Sequence, residues 1–159
     1  MSFKRQRMKT PIGPLVLVED NGKLAGVIYE STWPKFRKRF TGYEDVETPL
    51  LKEAKRQLED YFRGKRKTFD LPLTLGGTAF QNKVWSALAE IPFGKTRTYK
   101  EQALGVGSPK AVRAIGQTNG ANPICIVLPC HRVIGSNGQL TGYGGGLPAK
   151  EFLLKFERR

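Results

Sequence analysis

A basic connector that contains glycine and proline divides the 159-residue chain into two parts with different patterns. This connector, GKRKTFDLPLTLGG, spans residues 64–77. It follows a part with short β-forming segments and precedes a part in which apolar residues recur at helical spacing. Such composition is typical of a boundary between domains. We therefore predict two domains, residues 1–76 and residues 77–159, in a protein of the α+β class.

A β-hairpin and a helix are predicted for the first domain. The apolar segments Leu15–Val18 and Leu24–Tyr29 flank an Asn-Gly pair at residues 21–22, which is a strong hairpin-turn signal. An amphipathic helix should follow, with Thr48 as its N-cap and Gly64 at its end. The first domain is thus expected to be a small sheet with one helix packed on it.

Two short helices joined by a glycine turn are predicted in the second domain. The first runs from about Tyr99 to Leu104, and the second is expected to begin with Ser108 as its cap and Pro109 as its first residue. This order is the helix-turn-helix pattern of DNA-binding domains, in a winged-helix-like arrangement. Farther on, the segment ICIVLP predicts a buried strand that ends at Pro129, and a last helix is expected near residues 148–157.

The second of these two helices is unusually small in its side chains. Ala111, Ala114 and Gly116 give it little bulk, and Arg113 stands among them. Small residues let a helix backbone come close to another surface, such as the groove of a nucleic acid.

Charge points to the same kind of partner. The net charge is +13, and residues 77–159 contain 11 basic and only 4 acidic side chains. A small domain of this charge favours a polyanion, most often nucleic acid. No apolar segment approaches the roughly 20 residues of a membrane helix, and we expect neither a membrane partner nor a secretory signal.

Cys130 stands next to His131, the only histidine in the chain. A cysteine attacks as the thiolate, and a neighbouring imidazole can take its proton. Adjacent residues of an extended chain point to opposite sides, so their contact needs a turn or a bridging water. Cys125 lies inside an apolar segment and is interpreted as a small buried residue. Two cysteines and one histidine form neither a disulfide framework nor a usual zinc site, which predicts reduced thiols in a cytosolic protein.

Several motifs resemble one known family. NPICIVLPCHRVIG, YKEQALGVGSPKAVRAIG, TGYGGG and KEFLLKFE are similar to motifs of the O6-alkylguanine-DNA alkyltransferases, and TPIGPLVLVEDNGKLAGV is similar to the beginning of that family's N-terminal domain. The resemblance extends over nearly the whole chain, and Pro-Cys-His-Arg-Val is a highly specific signature. It implies irreversible, single-use repair of double-stranded DNA that contains O6-alkylguanine.

The resemblance also implies a catalytic role for four residues. Cys130 corresponds to the cysteine that receives the alkyl group, and His131 corresponds to the base that acts on it through a water. Glu157, on the last helix, corresponds to the residue that orients the histidine. Asn122 corresponds to the asparagine that supports the active-site turn.

DNA contacts follow from the resemblance in the same way. Tyr99 matches the residue that rotates the target nucleotide out of the duplex and donates a proton to the base. Arg113 matches the residue that fills the gap left behind, on a helix that enters the minor groove through Ala111, Ala114 and Gly116. Rotation is needed because the guanine oxygen is out of a thiolate's reach inside the duplex.

The expected alkylguanine pocket is formed by Tyr143, Gly144 and Val133. Several family members have serine where this chain has Gly144, although a backbone N–H is still present there for the guanine oxygen. Some members have an N-terminal zinc site whose ligands this chain lacks, so we expect no metal and no cofactor. We expect a monomer, and the sequence leaves cooperative binding to DNA open.

Two other functions compete with this interpretation. Non-catalytic alkyltransferase-like proteins bind lesions for another pathway, but they lack the acceptor cysteine that is present here. A cysteine hydrolase that uses Cys130 and His131 is disfavoured, because this function would not explain the helix pair or the basic charge.

Overall fold

The computed structural model describes residues 3–159, and the chain divides into two compact units between Gly76 and Gly77. Among the described residues, no helix is both long enough and apolar enough to cross a membrane.

A four-stranded sheet forms the centre of the first unit, in the order β3-β2-β1-β4. Its strands are β1 (Lys4–Met8), β2 (Leu15–Asp20), β3 (Lys23–Tyr29) and β4 (Glu44–Asp45). Strands β2 and β3 form the predicted hairpin, and the connecting Asn21 and Gly22 have φ angles of 49° and 82°. Both residues of such a turn need positive φ, which an Asn-Gly pair accepts at low cost. The short strand β4 pairs in parallel with β1.

Helices α1 (Trp33–Phe36) and α2 (Pro49–Phe62) complete the first unit. The hydroxyl of Thr48 accepts a hydrogen bond from the backbone N–H of Leu51 at 3.1 Å, as expected of an N-cap. One face of α2 is fully buried and packs on the sheet; it includes Leu51, Ala54, Leu58 and Tyr61. This packing joins the helix and the hairpin in one apolar core.

The second unit is mainly helical, with a two-stranded parallel sheet. Its elements are α3 (Ala79–Leu88), β5 (Arg97–Thr98), α4 (Tyr99–Gly105), α5 (Val112–Gly120), β6 (Val133–Ile134) and α6 (Leu147–Glu157). Capping boxes begin both α3 and α4. Between α4 and α5, the buried amides of Gln102 and Asn119 exchange two hydrogen bonds of 3.1 and 2.8 Å.

Helix α5 begins later than predicted, at Val112 instead of directly after Ser108. Residues 108–111 form a turn in which the N–H of Ala111 donates to the carbonyl of Ser108 at 2.9 Å. A serine followed by proline is favoured at the start of a turn as well as at the start of a helix, so the pattern was misleading here.

The predicted strand ICIVLP is also wrong. Cys125 and Leu128 form only an isolated bridge, and Ile126 has a φ of 73°, so the chain folds into a tight buried turn. The side chain of Asn122 takes the place of a neighbouring strand: its oxygen accepts from the N–H of Ile124 at 3.0 Å, and its amide donates to the carbonyl of Leu128 at 2.8 Å. An apolar segment needs its backbone groups satisfied but does not need a sheet to do so.

Candidate active site

Cys130 begins a 3-10 turn, Cys130–Arg132, directly after the buried turn held by Asn122. Its N–H donates to the carbonyl of Leu128 at 2.8 Å, and its residue is only 6% exposed. The same carbonyl accepts from the side chain of Asn122, so the contacts of Asn122 and Cys130 meet at one backbone oxygen. A turn at the Cys-His pair was expected from sequence, and the 3-10 turn provides it.

His131 forms a buried pair with Glu157 on α6. The Nε2 atom of His131 lies 2.8 Å from Oε2 of Glu157, and His131 is completely buried. Because a carboxylate only accepts, we assign the proton of the neutral ring to Nε2. Nδ1 of His131 is then an acceptor, and it is buried without a hydrogen-bond partner among the described residues. Burial lowers the pKa of His131 in spite of the opposing effect of Glu157, which favours the neutral form of the imidazole.

Arg132 is a buried part of the site that the sequence prediction missed. Its Nε and Nη2 atoms donate to the two oxygens of Glu157 at 2.8 and 3.0 Å, and its Nη1 donates to the carbonyl of Ile91 at 2.6 Å. This bidentate contact leaves Glu157 a fixed acceptor for His131. The only sequence signal for it was the position of Arg132 next to the Cys-His pair.

Lys150 is the second residue that sequence reasoning missed. Its side chain is fully buried, and its Nζ donates to the carbonyls of Val133 and Thr141 at 2.6 and 2.9 Å. Burial lowers the pKa of Lys150 to about 8, while Cys130 opposes that shift. Lys150 therefore attaches the glycine-rich loop, residues 141–146 (TGYGGG), to β6 and brings a positive charge near the sulfur of Cys130.

The surroundings of Cys130 favour its thiolate. A hydrogen bond from Cys125 lowers the pKa of Cys130 most, the side chain of Asn122 and the charge of Lys150 act in the same direction, and burial opposes them. The same sulfur–sulfur contact raises the pKa of Cys125, together with burial. These opposite directions favour the thiolate at Cys130 over a thiolate at Cys125.

Tyr99 lies where the beginning of α4, the glycine-rich loop and α5 meet. Its hydroxyl donates to the carbonyl of Thr141 at 3.2 Å and accepts from the hydroxyl of the same residue at 3.3 Å. Its ring lies beside Gly116 of α5, since a Cβ on that glycine would be 3.9 Å from the ring. In the loop itself, Tyr143 and Gly144 are half-buried, whereas Val133 is fully buried and offers its carbonyl to Lys150.

One face of α5 is turned to the solvent. Arg113 is exposed, and Ala111, Ala114 and Gly116 are half-buried, whereas Ile115 is fully buried against α3 and α4. Ala111 is the N-cap of α5, and the small residues are only partly accessible, whereas Arg113 lies among the exposed residues of the helix. In the described part of the chain, no group of three or more His, Cys, Asp or Glu residues could hold a metal ion.

Two family models match the chain over almost all of its length. The DNA-binding domain of 6-O-methylguanine DNA methyltransferase matches residues 79–159, and the ribonuclease-like domain of the same protein matches residues 4–75. The chain belongs to the 6-O-methylguanine DNA methyltransferase family, and the family resemblance of its motifs is confirmed. As a member, it is a DNA-binding methyltransferase of DNA repair that uses a protein cysteine.

Individual relatives agree with the family models. The chain is 49% identical over 152 residues to the constitutive methylated-DNA–protein-cysteine methyltransferase of Bacillus subtilis, covering 94% of this chain and 92% of the relative. It is 51% identical over 149 residues to the enzyme of Methanosarcina acetivorans, covering 94% of each. A crystal structure of Mycobacterium tuberculosis OGT in complex with DNA has a TM-score of 0.87 and 42% identity, covering 98% of this chain and 92% of that chain. The α+β prediction is thereby confirmed.

Proposed function

We propose that the chain repairs O6-alkylguanine in duplex DNA by moving the alkyl group irreversibly onto the sulfur of Cys130. The observation that carries this proposal is the buried hydrogen bond between Glu157 and His131, the residue after Cys130, together with a buried Nδ1 of His131 that has no hydrogen-bond partner within residues 3–159. A buried nitrogen with a free lone pair next to a buried thiol is suited to removing the thiol proton.

In the first step, the thiol proton of Cys130 moves to Nδ1 of His131 through one water. The imidazolium that forms keeps its Nε2–H bond to Glu157, whose charge stabilises it. Arg132 keeps Glu157 in place during this step, because it donates to both carboxylate oxygens. The pKa of Cys130 is lowered by the neighbouring Cys125, by the side chain of Asn122 and by the charge of Lys150, which favours the thiolate.

In the second step, a sulfur electron pair forms a bond to the alkyl carbon, and the bond from that carbon to O6 breaks. The electrons of the broken bond remain on guanine, which takes a proton from the hydroxyl of Tyr99, while the backbone N–H of Gly144 is available to O6. The product on Cys130 is a thioether, which offers no carbonyl to water. Each molecule therefore acts once.

DNA is proposed to bind along the accessible side of α5. Ala111, Ala114 and Gly116 permit a close approach to the minor groove, and Arg113 takes the space left by the extruded nucleotide. Because the minor groove carries little sequence information, binding should depend on salt more than on sequence. We also propose that the protein acts as a monomer in the cytoplasm, where both free thiols stay reduced.

A titration tests the proposal. Fixed amounts of active protein are mixed with increasing duplex that contains labelled O6-methylguanine, and labelled peptides are identified by mass spectrometry. We expect a plateau at one methyl group per protein, on Cys130, and no transfer by Cys130→Ser although it still binds DNA. Turnover beyond the plateau, or label on the Cys130→Ser variant, would overturn the proposal.

Extrusion is tested with Arg113→Ala. Repair of the duplex should slow strongly, whereas reaction with free O6-benzylguanine, which needs no extrusion, should stay near the wild-type rate. Equal losses on both substrates would assign Arg113 to the pocket or to folding.

A further inference from the structure

The outer face of α5 carries a polar side chain that the proposed reaction does not use. Val112, Arg113 and Gln117 are the exposed residues of this helix, whereas Thr118 and Asn119, which follow Gln117, are buried. Successive residues of a helix point about 100° apart, so Gln117 lies on the same face as Arg113, one turn farther along. Gln117 is therefore part of the surface that is proposed to approach the minor groove.

The side-chain amide of Gln117 is not engaged in the fold. Gln57, Gln81 and Gln102, the glutamines of α2, α3 and α4, each form side-chain hydrogen bonds within their own unit. The amide of Gln117 forms none within residues 3–159. Its donor and its acceptor are both open to a ligand that approaches this face of α5.

Two glycines leave space beside this amide. Gly116 and Gly120 lie on the same outer face, and a Cβ on Gly120 would meet no atom within 4 Å. A Cβ on Gly116 would meet only the ring of Tyr99, at 3.9 Å. The backbone of α5 can therefore come close to a groove here, while the longer side chain of Gln117 extends beyond it.

The spacing along α5 fits the spacing of base pairs. Four residues of an α-helix advance about 6 Å, and successive nucleotides of a duplex strand lie about 3.4 Å apart along its axis. With Arg113 in the space left by the extruded nucleotide, a helix that lies along the groove places Gln117 one or two base pairs away. The side chain of Gln117 then faces the edge of an intact base pair.

The minor groove offers a glutamine one clear distinction between base pairs. An A·T pair presents only the acceptors N3 of adenine and O2 of thymine, whereas a G·C pair adds the 2-amino donor of guanine. A glutamine amide has both a donor and an acceptor, so Nε2 can donate to N3 of guanine while Oε1 accepts from its 2-amino group. At an A·T pair, Oε1 finds no donor.

We propose that Gln117 is a specificity-determining residue, whose side-chain amide binds the minor-groove edge of a G·C pair one or two positions from the alkylated guanine. Repair is then faster in that sequence context. This inference rests on the proposed function, because it needs α5 to approach the minor groove. Gln117 touches a neighbouring base pair and takes no part in the transfer to Cys130.

Inosine tests this contact, because an I·C pair differs from a G·C pair only by the missing 2-amino group. Each G·C pair within two positions of O6-methylguanine is replaced by I·C in a separate duplex, with guanine placed on either strand. Second-order repair rates are measured for wild type, Gln117→Met and Gln117→Ala. The ratio of the G·C rate to the I·C rate is compared between proteins, which cancels the effect of inosine on the duplex and any loss of folded protein.

At the position that Gln117 contacts, the ratio in wild type should exceed the ratio in Gln117→Met by about twofold to tenfold, because one hydrogen bond is lost with the amino group. Gln117→Ala should give the same ratio as Gln117→Met, since both lack the amide. At the other positions the three proteins should agree. If no position gives a ratio that depends on Gln117, the amide does not read the duplex and the proposal is overturned.

Lys110→Met is the control for a general effect on DNA binding. Lys110 is an exposed cation in the turn before α5. A contact with phosphate weakens binding equally for all sequences, so this variant should keep the wild-type ratio at every position. If Lys110→Met changes the ratio as much as Gln117→Met does, the effect does not belong to the amide and the proposal is also overturned.

The proposed function fails separately. Label elsewhere than on Cys130, or turnover beyond one methyl group per protein, overturns it whatever the Gln117 variants do. Stoichiometric label on Cys130 together with equal ratios in wild type and Gln117→Met overturns only the role of Gln117.

Discussion

In the first unit, α2 packs on the sheet through the buried apolar side chains of Leu51, Leu58 and Tyr61. In the second unit, the buried residues include charged and titratable ones: His131, Glu157, Arg132 and Lys150. The exceptions in the first unit are few; Gln57, for example, is buried because its amide exchanges hydrogen bonds with the backbone of Asp70. Burying apolar area stabilises a fold directly, at roughly 25 cal/mol per Å². Burying charges does so only when each is paired, so the second unit gives up some stability to hold reactive groups in fixed positions.

The largest expected effect comes from breaking the charged interior at Glu157. Glu157→Gln leaves the guanidinium of Arg132 buried without its counter-charge, which should cost about 3–5 kcal/mol of unfolding free energy. Transfer should slow by at least about 100-fold, because the orientation of His131 is lost. Chemical denaturation and single-turnover rates measure the two effects.

Glu151→Gln is the matched control on the same helix. Glu151 forms an exposed pair with Lys155 at 2.8 Å, and removing its charge should change neither stability nor rate measurably. If both variants lose the same unfolding free energy and the same rate, burial does not distinguish Glu157 from Glu151, and the charged interior of the second unit has no special role.

We expect an effect of intermediate size from Lys150 on how the free energy of unfolding changes with pH. Its folded pKa of about 8 lies below the ordinary 10.5, so between these values the unfolded chain binds more protons than the folded chain. Stability should therefore gain a favourable contribution as pH rises from about 8 to about 10.5, and this contribution is absent below about pH 8. Lys150→Met should reduce the slope of unfolding free energy against pH by up to about 1.4 kcal/mol per pH unit.

Lys155→Met serves as the comparison, since the side chain of Lys155 is 74% exposed. Its slope should match that of wild type. An unchanged slope in Lys150→Met would show that the buried ammonium does not contribute to the pH dependence.

The smallest net effect should come from the neutral amides between α4 and α5. Gln102→Leu alone leaves the amide of Asn119 without its partner and should cost about 1–3 kcal/mol. Adding Asn119→Leu should recover most of that loss, because two apolar side chains then replace two mutually satisfied amides. If the losses of unfolding free energy add in the double variant, the two amides cannot be replaced by apolar side chains, and in this respect they resemble the charged residues around Glu157.

What the sequence predicted well follows from local rules. The hairpin depends on an Asn-Gly pair between apolar segments, and α2 depends on the Thr48 cap and one apolar face. The family motifs associated Glu157 with His131, and the structure has the two side chains in contact at 2.8 Å, whereas their catalytic roles stay predictions. These features need information from only a few neighbouring residues or from a specific signature.

What it missed depends on contacts between distant residues. Arg132 and Lys150 look like ordinary surface cations in sequence, and only the positions of α6 and the Ile91 carbonyl show that they are buried. The strand predicted at ICIVLP failed because the side chain of Asn122 satisfies the backbone groups that a sheet would otherwise satisfy. The sequence prediction placed the start of α5 too early, because Pro109 is compatible with both a turn and the start of a helix.

The carbonyl of Thr141 has a consequence for how a substrate enters. It accepts from both Lys150 and Tyr99, which uses the two lone pairs of one oxygen. In the proposed reaction the hydroxyl of Tyr99 turns toward the incoming base, and the Thr141 oxygen then keeps its hydrogen bond to Lys150. The proposed proton donor can therefore change partners without leaving a buried acceptor unsatisfied, and the contact between Lys150 and the loop is retained.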